Sequence, residues 1–276
     1  MSDDHVYMTL AEGHDDSDAR WAFGTGFEDP LHGVDTSVPD GIDAVELAAS
    51  CSALGDDTLI LAQRLAEWVT LAPELEEEVA LANVGLDLLG QARLLYARCG
   101  QADGTGRTED AYAYFRDAED FRNVRLVELP NGDFAFSIVR LFAFSSWRLA
   151  HFARLVSSPD PVLSAIADKA LKELAYHRQY AAEWMVRLGD GTEESHRRIN
   201  NALADVAPYL QELFSAHDGR SEVLADLQQV LDAAGLAMPQ TPPLPGGGRH
   251  GDHTEHLAPL LAELQSVARA HPDATW

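Results

Sequence analysis

Residues 57–98 limit the possible folds more than any other stretch: DTLILAQRLAEWVTLAPELEEEVALANVGLDLLGQARLLYAR. The apolar positions recur at helical spacing, and the pattern reads as two helices meeting at Ala72 and Pro73. Pro73 suits the first turn of a helix, where its missing N–H costs nothing. In the second helix, Leu75, Val79, Leu86 and Leu89 mark the face expected to be buried. Among them runs a polar row, Asn83, Asp87 and Gln91, each four residues on from the last and hence on one shared helix face. The preceding helix carries Arg64 and Glu67 between Leu61, Leu65 and Trp68. Apolar helices with carboxylates inside them are how four-helix bundles of the ferritin-like class build a metal site.

The rest of the chain supplies the other helices. Residues 111–116 form a helical turn, and 119–129 read as a helix. Pro130, Asn131, Gly132 and Asp133 signal a turn, with Asp133 as the N-cap of a largely apolar helix over 134–156. Pro159, Asp160 and Pro161 break the chain before a helix over 162–188. Gly189, Asp190 and Gly191 end that helix. Helices over 192–216, 222–234 and 254–270 follow, with a Pro/Gly loop before the last. No strand-like alternation is present. The expected fold is all-α: a ferritin-like four-helix bundle of 57–71, 73–98, 134–156 and 162–188, with extra C-terminal helices. Residues 1–52, rich in Asp, Gly, Ser and Thr, read as an acidic disordered extension, leaving 53–276 as the ferritin-like helical domain.

Charge narrows the partners. The formal net charge is -25 over 276 residues, and Lys169 and Lys172 are the only lysines. Such a chain repels nucleic acid and anionic membranes. Acidic excess spread along the whole chain is the pattern of adaptation to high salt, which screens self-repulsion. There is no basic-then-apolar start and no run of ~18 apolar residues, so a cytoplasmic location is expected. Cys51 and Cys99 have no metal or redox spacing.

A carboxylate-bridged di-iron site needs one Glu from each of two helices and Glu-x-x-His from each of the other two. Glu67 and Asp87 are available, but three residues beyond Asp87 stands Gly90, and Gln91 is a poor substitute for imidazole. The helix over 134–156 contains no Asp or Glu. The fourth helix offers Glu173 and His177, four apart rather than three. Glu67, Asp87, Gln91, Arg148, Glu173 and His177 therefore read as the remnant of a metal site rather than a working one. Arg148 or Arg140, with Arg64, is expected to fill the space of the metal and to compensate Asp87 and Glu173. Catalytic and cofactor-binding residues are expected to be absent. Near the C-terminus, His250, His253 and His256 are spaced three apart, but no second ligand pair follows to close a zinc site. His5, His14 and His32 stand isolated among acids. No Gly-rich phosphate loop or nucleophile elbow is present.

The runs LAQRLAEW, APELEEEVALANVGLDLLGQAR, VELPNGDFAFSIVR, KELAYHRQYAAEWMVRLGDGTEES and GDHTEHLAPLLAELQ resemble the C subunits of ring 1,2-phenylacetyl-CoA epoxidases. The resemblance covers residues from about 55 onward. It implies a ferritin-like chain that has lost its metals and pairs with a related catalytic di-iron subunit, forming a hetero-oligomer. It also implies that the complex adds one oxygen atom to the aromatic ring of phenylacetyl-CoA. The electrons would come from NADPH through a flavin and iron–sulfur reductase subunit, an indirect partner. On this reading the chain itself holds no cofactor. Two other classes stand beside it: an autonomous di-iron oxidase or oxygenase using Glu67, Asp87, Glu173 and His177, and a ferritin-like storage bundle, which the missing ligands disfavour. The fourth helix and the C-terminal HTEHLAPLLAEL helix are the expected docking face.

Overall fold

The computed structural model describes residues 31–274 apart from 32, 217 and 218. The chain from Val34 onward forms one unit. His5, His14 and His32 lie outside the described residues, as do residues 1–30 of the segment set apart as an extension.

The described residues are helical, with no strand among them. Four long helices make the core: α1 (Ala44–Ala66), α2 (Leu75–Ala102), α4 (Phe134–Leu155) and α5 (Pro161–Gly189). Between α2 and α4 lies the short α3 (Glu109–Tyr114). After α5 come α6 (Glu193–Val206), α7 (Leu210–Ala216), α8 (Arg220–Ala233), α9 (Leu257–Leu264) and α10 (Ser266–Ala270). Helix α1 packs on α2, α2 on α5, and α5 on α4. The fourth side closes through side chains, because Arg148 of α4 reaches Asp57 of α1. This is the ferritin-like bundle expected, with further helices added after it.

The cap expected at Asp133 and the helix start expected at Thr192 form, and Asp160 makes a third cap. Asp133 accepts from the Phe136 N–H at 3.0 Å, Asp160 from the Leu163 N–H at 2.7 Å, and Thr192 with Ser195 makes a capping box. Several boundaries differ from those the sequence suggests. Helix α1 starts at Ala44, capped by Asp43, rather than at residue 57. Pro73 lies before the Glu74 N-cap of α2, in the turn, rather than in the first helical turn. The outer face of α2 is also reversed. Leu75, Val79, Leu86 and Leu89 are exposed, and the helix buries Leu81, Val84, Leu88, Ala92 and Leu95 instead.

The largest departure is at 119–129, where the sequence predicts a helix. The chain makes only two 3-10 turns there, Ala118–Asp120 and Arg125–Glu128. Fully buried carboxylates in α1 capture the backbone that a helix would have used. Asp56 accepts the Arg122 N–H at 2.8 Å, and Asp57 accepts the Val124 N–H at 2.9 Å. Asp56 also accepts from the Tyr96 hydroxyl at 2.7 Å and pairs with Arg116. Asp57 takes both terminal nitrogens of Arg249, at 2.9 and 2.6 Å. Gly55 permits the close approach of Tyr96, whose ring would lie 2.6 Å from an added Cβ.

Glu128 is a third buried carboxylate. It accepts from the Asn123 amide at 2.8 Å and from the Thr254 N–H and hydroxyl at 2.7 and 2.6 Å. The loop before α9 is thereby fastened to the bundle. Gly248 lies so close that a Cβ there would fall 1.9 Å from the Asn123 carbonyl oxygen.

Removing one partner from a buried ion pair strands the other, at a cost of about 3–5 kcal/mol. Asp57→Asn should lower unfolding stability in urea by that order, because Arg249 and Arg148 would lose their shared anion. Asp117→Asn, at the exposed pair with Arg269, should change it by less than about 1 kcal/mol.

Candidate functional site

A polar layer crosses the middle of the bundle, assembled from α2, α4 and α5. Gln91 of α2 is its hinge. The Arg148 Nε–H of α4 donates to Gln91 Oε1 at 3.1 Å, and Gln91 Nε2 donates to Glu173 Oε2 of α5 at 3.0 Å. Lys169, one turn before Glu173, pairs with its other oxygen. One turn away from this relay, Asp87 Oδ2 lies 2.9 Å from His177 Nε2. These contacts follow from helical spacing: Asp87 and Gln91 share one face of α2, and Glu173 and His177 share one face of α5.

Arg148 is wholly buried. Its Nη1 sits 3.8 Å from Asp57 Oδ2, and its guanidinium carbon lies 4.2 Å from the Phe152 ring centroid. Burial pushes its pKa down to about 9, with Asp57 resisting the shift, so the cation persists at neutral pH. The other residues that the sequence grouped with these fall elsewhere. Glu67 stands past the end of α1, bound to Arg64 at 2.8 Å and to the Asn131 amide at 3.2 Å. Arg64 donates to the Glu128 carbonyl, and Arg140 to the Leu129 carbonyl and the Asn131 side chain. Arg148 alone of the three arginines therefore enters the layer. It meets Glu173 only through Gln91, and Asp87 is partnered by His177 rather than by an arginine.

A di-iron centre can be tested against these groups. Two ferrous ions require several anionic oxygen donors and open imidazoles around one cavity. Here Asp87 is engaged by His177, and Glu173 by Gln91 and Lys169. Helix α4 brings a cation where a carboxylate is needed. Gly90 looks on open space, and Glu67 is held apart. Among the described residues, no three His, Cys, Asp or Glu side chains are grouped to hold a metal ion. The residues present do not fit the centre.

The C-terminal histidines separate as well. His253 faces two acceptors, Glu128 Oε1 at 2.6 Å from Nδ1 and the Phe121 carbonyl at 2.9 Å from Nε2. Only the doubly protonated ring can donate to both. His250 lies in a 3-10 turn, Gly248–His250, and His256 is the N-cap of α9. Sequence reasoning missed Asp56, Asp57, Glu128 and Arg249. The signal for the first two was an acid pair between apolar residues, inside a helix rather than at its start.

Comparison with known proteins supplies the family. The family model described as "Phenylacetic acid catabolic protein" matches residues 38–276. The chain is 41% identical over 247 residues to the C subunit of 1,2-phenylacetyl-CoA epoxidase from Escherichia coli (strain K12), a match that covers 84% of this chain and 99% of that protein.

Two measurements check the site as described. Gln91→Leu leaves Arg148 Nε and Glu173 without their shared partner, and should destabilise the fold by about 1–3 kcal/mol in urea. An unchanged midpoint would mean that the relay does not form. For His253, burial works against the charged ring, but the hydrogen bond to Glu128 and that to the Phe121 carbonyl outweigh it, raising the pKa above 6.5. A raised folded value gives stability that is complete below the unfolded pKa and lost as pH climbs through the folded one. The stability gap between the wild type and His253→Gln should therefore shrink from pH 6 to pH 9. A gap that widens would contradict the assignment.

Proposed function

Since the chain belongs to the phenylacetic acid catabolic protein family, we propose that it is the non-catalytic, structural subunit of a multicomponent monooxygenase that epoxidises the ring of phenylacetyl-CoA. The observation that carries this reading is the central layer, in which Arg148, Gln91 and Glu173 form a hydrogen-bonded relay across helices whose equivalents in a di-iron bundle carry metal ligands. A bundle built this way keeps its packing without metal, so its contribution is a surface and a shape. Its partner is a catalytic di-iron subunit. A reductase carrying flavin and iron–sulfur groups, fed by NADPH, acts on that partner and reaches this chain only indirectly.

No described helix is long and apolar enough to cross a membrane. The complex works in the cytoplasm on this proposal. The charge of -25 and the use of arginine in place of lysine fit a saline one. The competing reading, an autonomous di-iron enzyme with Glu67, Asp87, Glu173 and His177, would have to break the Asp87–His177 and Glu173–Lys169 pairs and recruit Glu67 from beyond the end of α1.

Co-expression with the companion di-iron subunit tests the proposal. The expected result is a stable complex whose NADPH- and oxygen-dependent turnover of phenylacetyl-CoA requires both chains. The chain purified alone, after loading with ferrous salt, should retain iron far below one ion per molecule. Stoichiometric iron and turnover by the chain alone would establish the competing reading.

A further inference from the structure

The outward face of α2 is unusual for a helix in water. Leu75, Val79, Ala82, Leu86 and Leu89 succeed one another at intervals of four, three, four and three residues. Leu75 is 70% exposed, Val79 52%, Leu86 53% and Leu89 37%. The opposite face buries Leu81, Val84, Leu88, Ala92 and Leu95, so α2 is apolar on both sides. A helix hydrophobic all round is a buried helix. On α5, by contrast, Asp168, Lys172, Gln179, Glu183 and Arg187 are exposed. The C-terminal HTEHLAPLLAEL helix, one of the expected docking elements, spends Leu257, Leu260 and Leu261 on the chain's own core.

The exposed stripe has a definite shape. Alternating spacings of four and three are those of a coiled-coil seam, which receives another helix. Fourteen residues separate Leu75 from Leu89, about 21 Å of helix at ~1.5 Å each. Val69 and Leu71, in the turn before it, are exposed as well. On α5, exposed Tyr176 packs edge-on to His177, the partner of Asp87 on α2. Tyrosines are common anchors of protein interfaces. At the N-terminal end, Glu74, Glu76 and Glu78 border Leu75 with negative charge.

We propose that the outer face of α2 seats an amphipathic helix of a different subunit, its apolar edge along Leu75, Val79, Leu86 and Leu89 and a basic flank against Glu74, Glu76 and Glu78. The glutamates select the occupant. A second copy would bring its own charge of -25, which opposes self-association. A basic-flanked helix satisfies both the apolar seam and the acidic end. The inference rests on the subunit role proposed above and adds where the partner binds and what its contacting element is made of.

The test measures affinity of the full chain for the purified companion di-iron subunit. Val79→Glu and Leu86→Glu should each weaken binding on the order of 30-fold or more, with unchanged thermal unfolding. Val267→Glu, at an exposed apolar position on α10, should leave affinity unchanged. Glu76→Lys combined with Glu78→Lys should slow association. Should the glutamate variants misfold, Leu75→Ser and Leu86→Ser provide the milder pair. Failure of the wild-type chain to bind the companion would overturn the subunit role and this surface together. Wild-type binding with undiminished affinity in the stripe variants would overturn the surface alone. So would a homodimer of the isolated chain that Leu86→Glu dissociates, or hydrogen-exchange protection of 75–90 in the isolated chain that disappears when residues 1–33 are removed. Faster association of the double lysine variant would overturn the basic flank.

Discussion

Three buried carboxylates, Asp56, Asp57 and Glu128, hold this structure in its particular form. Each carries a charge into the core, which is tolerable only if its oxygens are filled by donors. The donors come from four separate parts of the chain: Tyr96 and Arg116 for Asp56, Val124 and Arg249 for Asp57, and Asn123, His253 and Thr254 for Glu128. The acids of α1 thus specify the path of 118–129 and the seat of the C-terminal loop. Without them, the loop at 245–254 would keep only its contacts with Glu212, Arg125 and nearby backbone carbonyls.

The same economy of charge explains the central layer. A four-helix bundle that carries inward-facing carboxylates needs cations or hydrogen-bond donors among them. In di-iron proteins the cation is metal. In this chain the Arg148 guanidinium lies within reach of Asp57 and of the Gln91 amide, and Lys169 completes Glu173 from the rim. Arginine suits the role, because its charge survives burial and its donors are fixed in a plane. The layer therefore ties α2, α4 and α5 together by hydrogen bonds.

Local signals were legible in the sequence and non-local ones were not. Asp133 read as a cap, and Thr192 as a helix start, because a cap involves only residues two or three apart. The four long helices were recognised because their periods persist for many turns, although the first runs from Ala44 to Ala66 rather than over 57–71. Asp87, Gln91, Glu173 and His177 were found because spacing of four puts each pair on one face, and the structure brings both faces together. Glu67 belonged to the same pattern on paper, but its helix ends at Ala66, and past that end it turns to Arg64 and Asn131. The partners of Arg148 and Arg140 depended on contacts 9 to 91 residues away, and no periodicity encodes those. Likewise, nothing local marks Asp56 and Asp57 as captors of a backbone more than sixty residues distant.

The reversal of α2 follows from a different cause. Periodicity reports which residues avoid water, not which chain covers them. Leu75, Val79, Leu86 and Leu89 give as strong a helical signal as the face that the bundle buries, and a reading confined to one chain assigns the stronger-looking stripe to its own core. A helix with two apolar faces satisfies both sets only if something else lies against the second. The chain has 45 acidic residues to distribute, yet between Val79 and Leu89 it places only Asp87, which is taken up by His177. Keeping charge off that outer face is itself a selective placement. The misassigned face and the exposed stripe are then one fact: the pattern on α2 was written for an assembly, and a single subunit accounts for half of it.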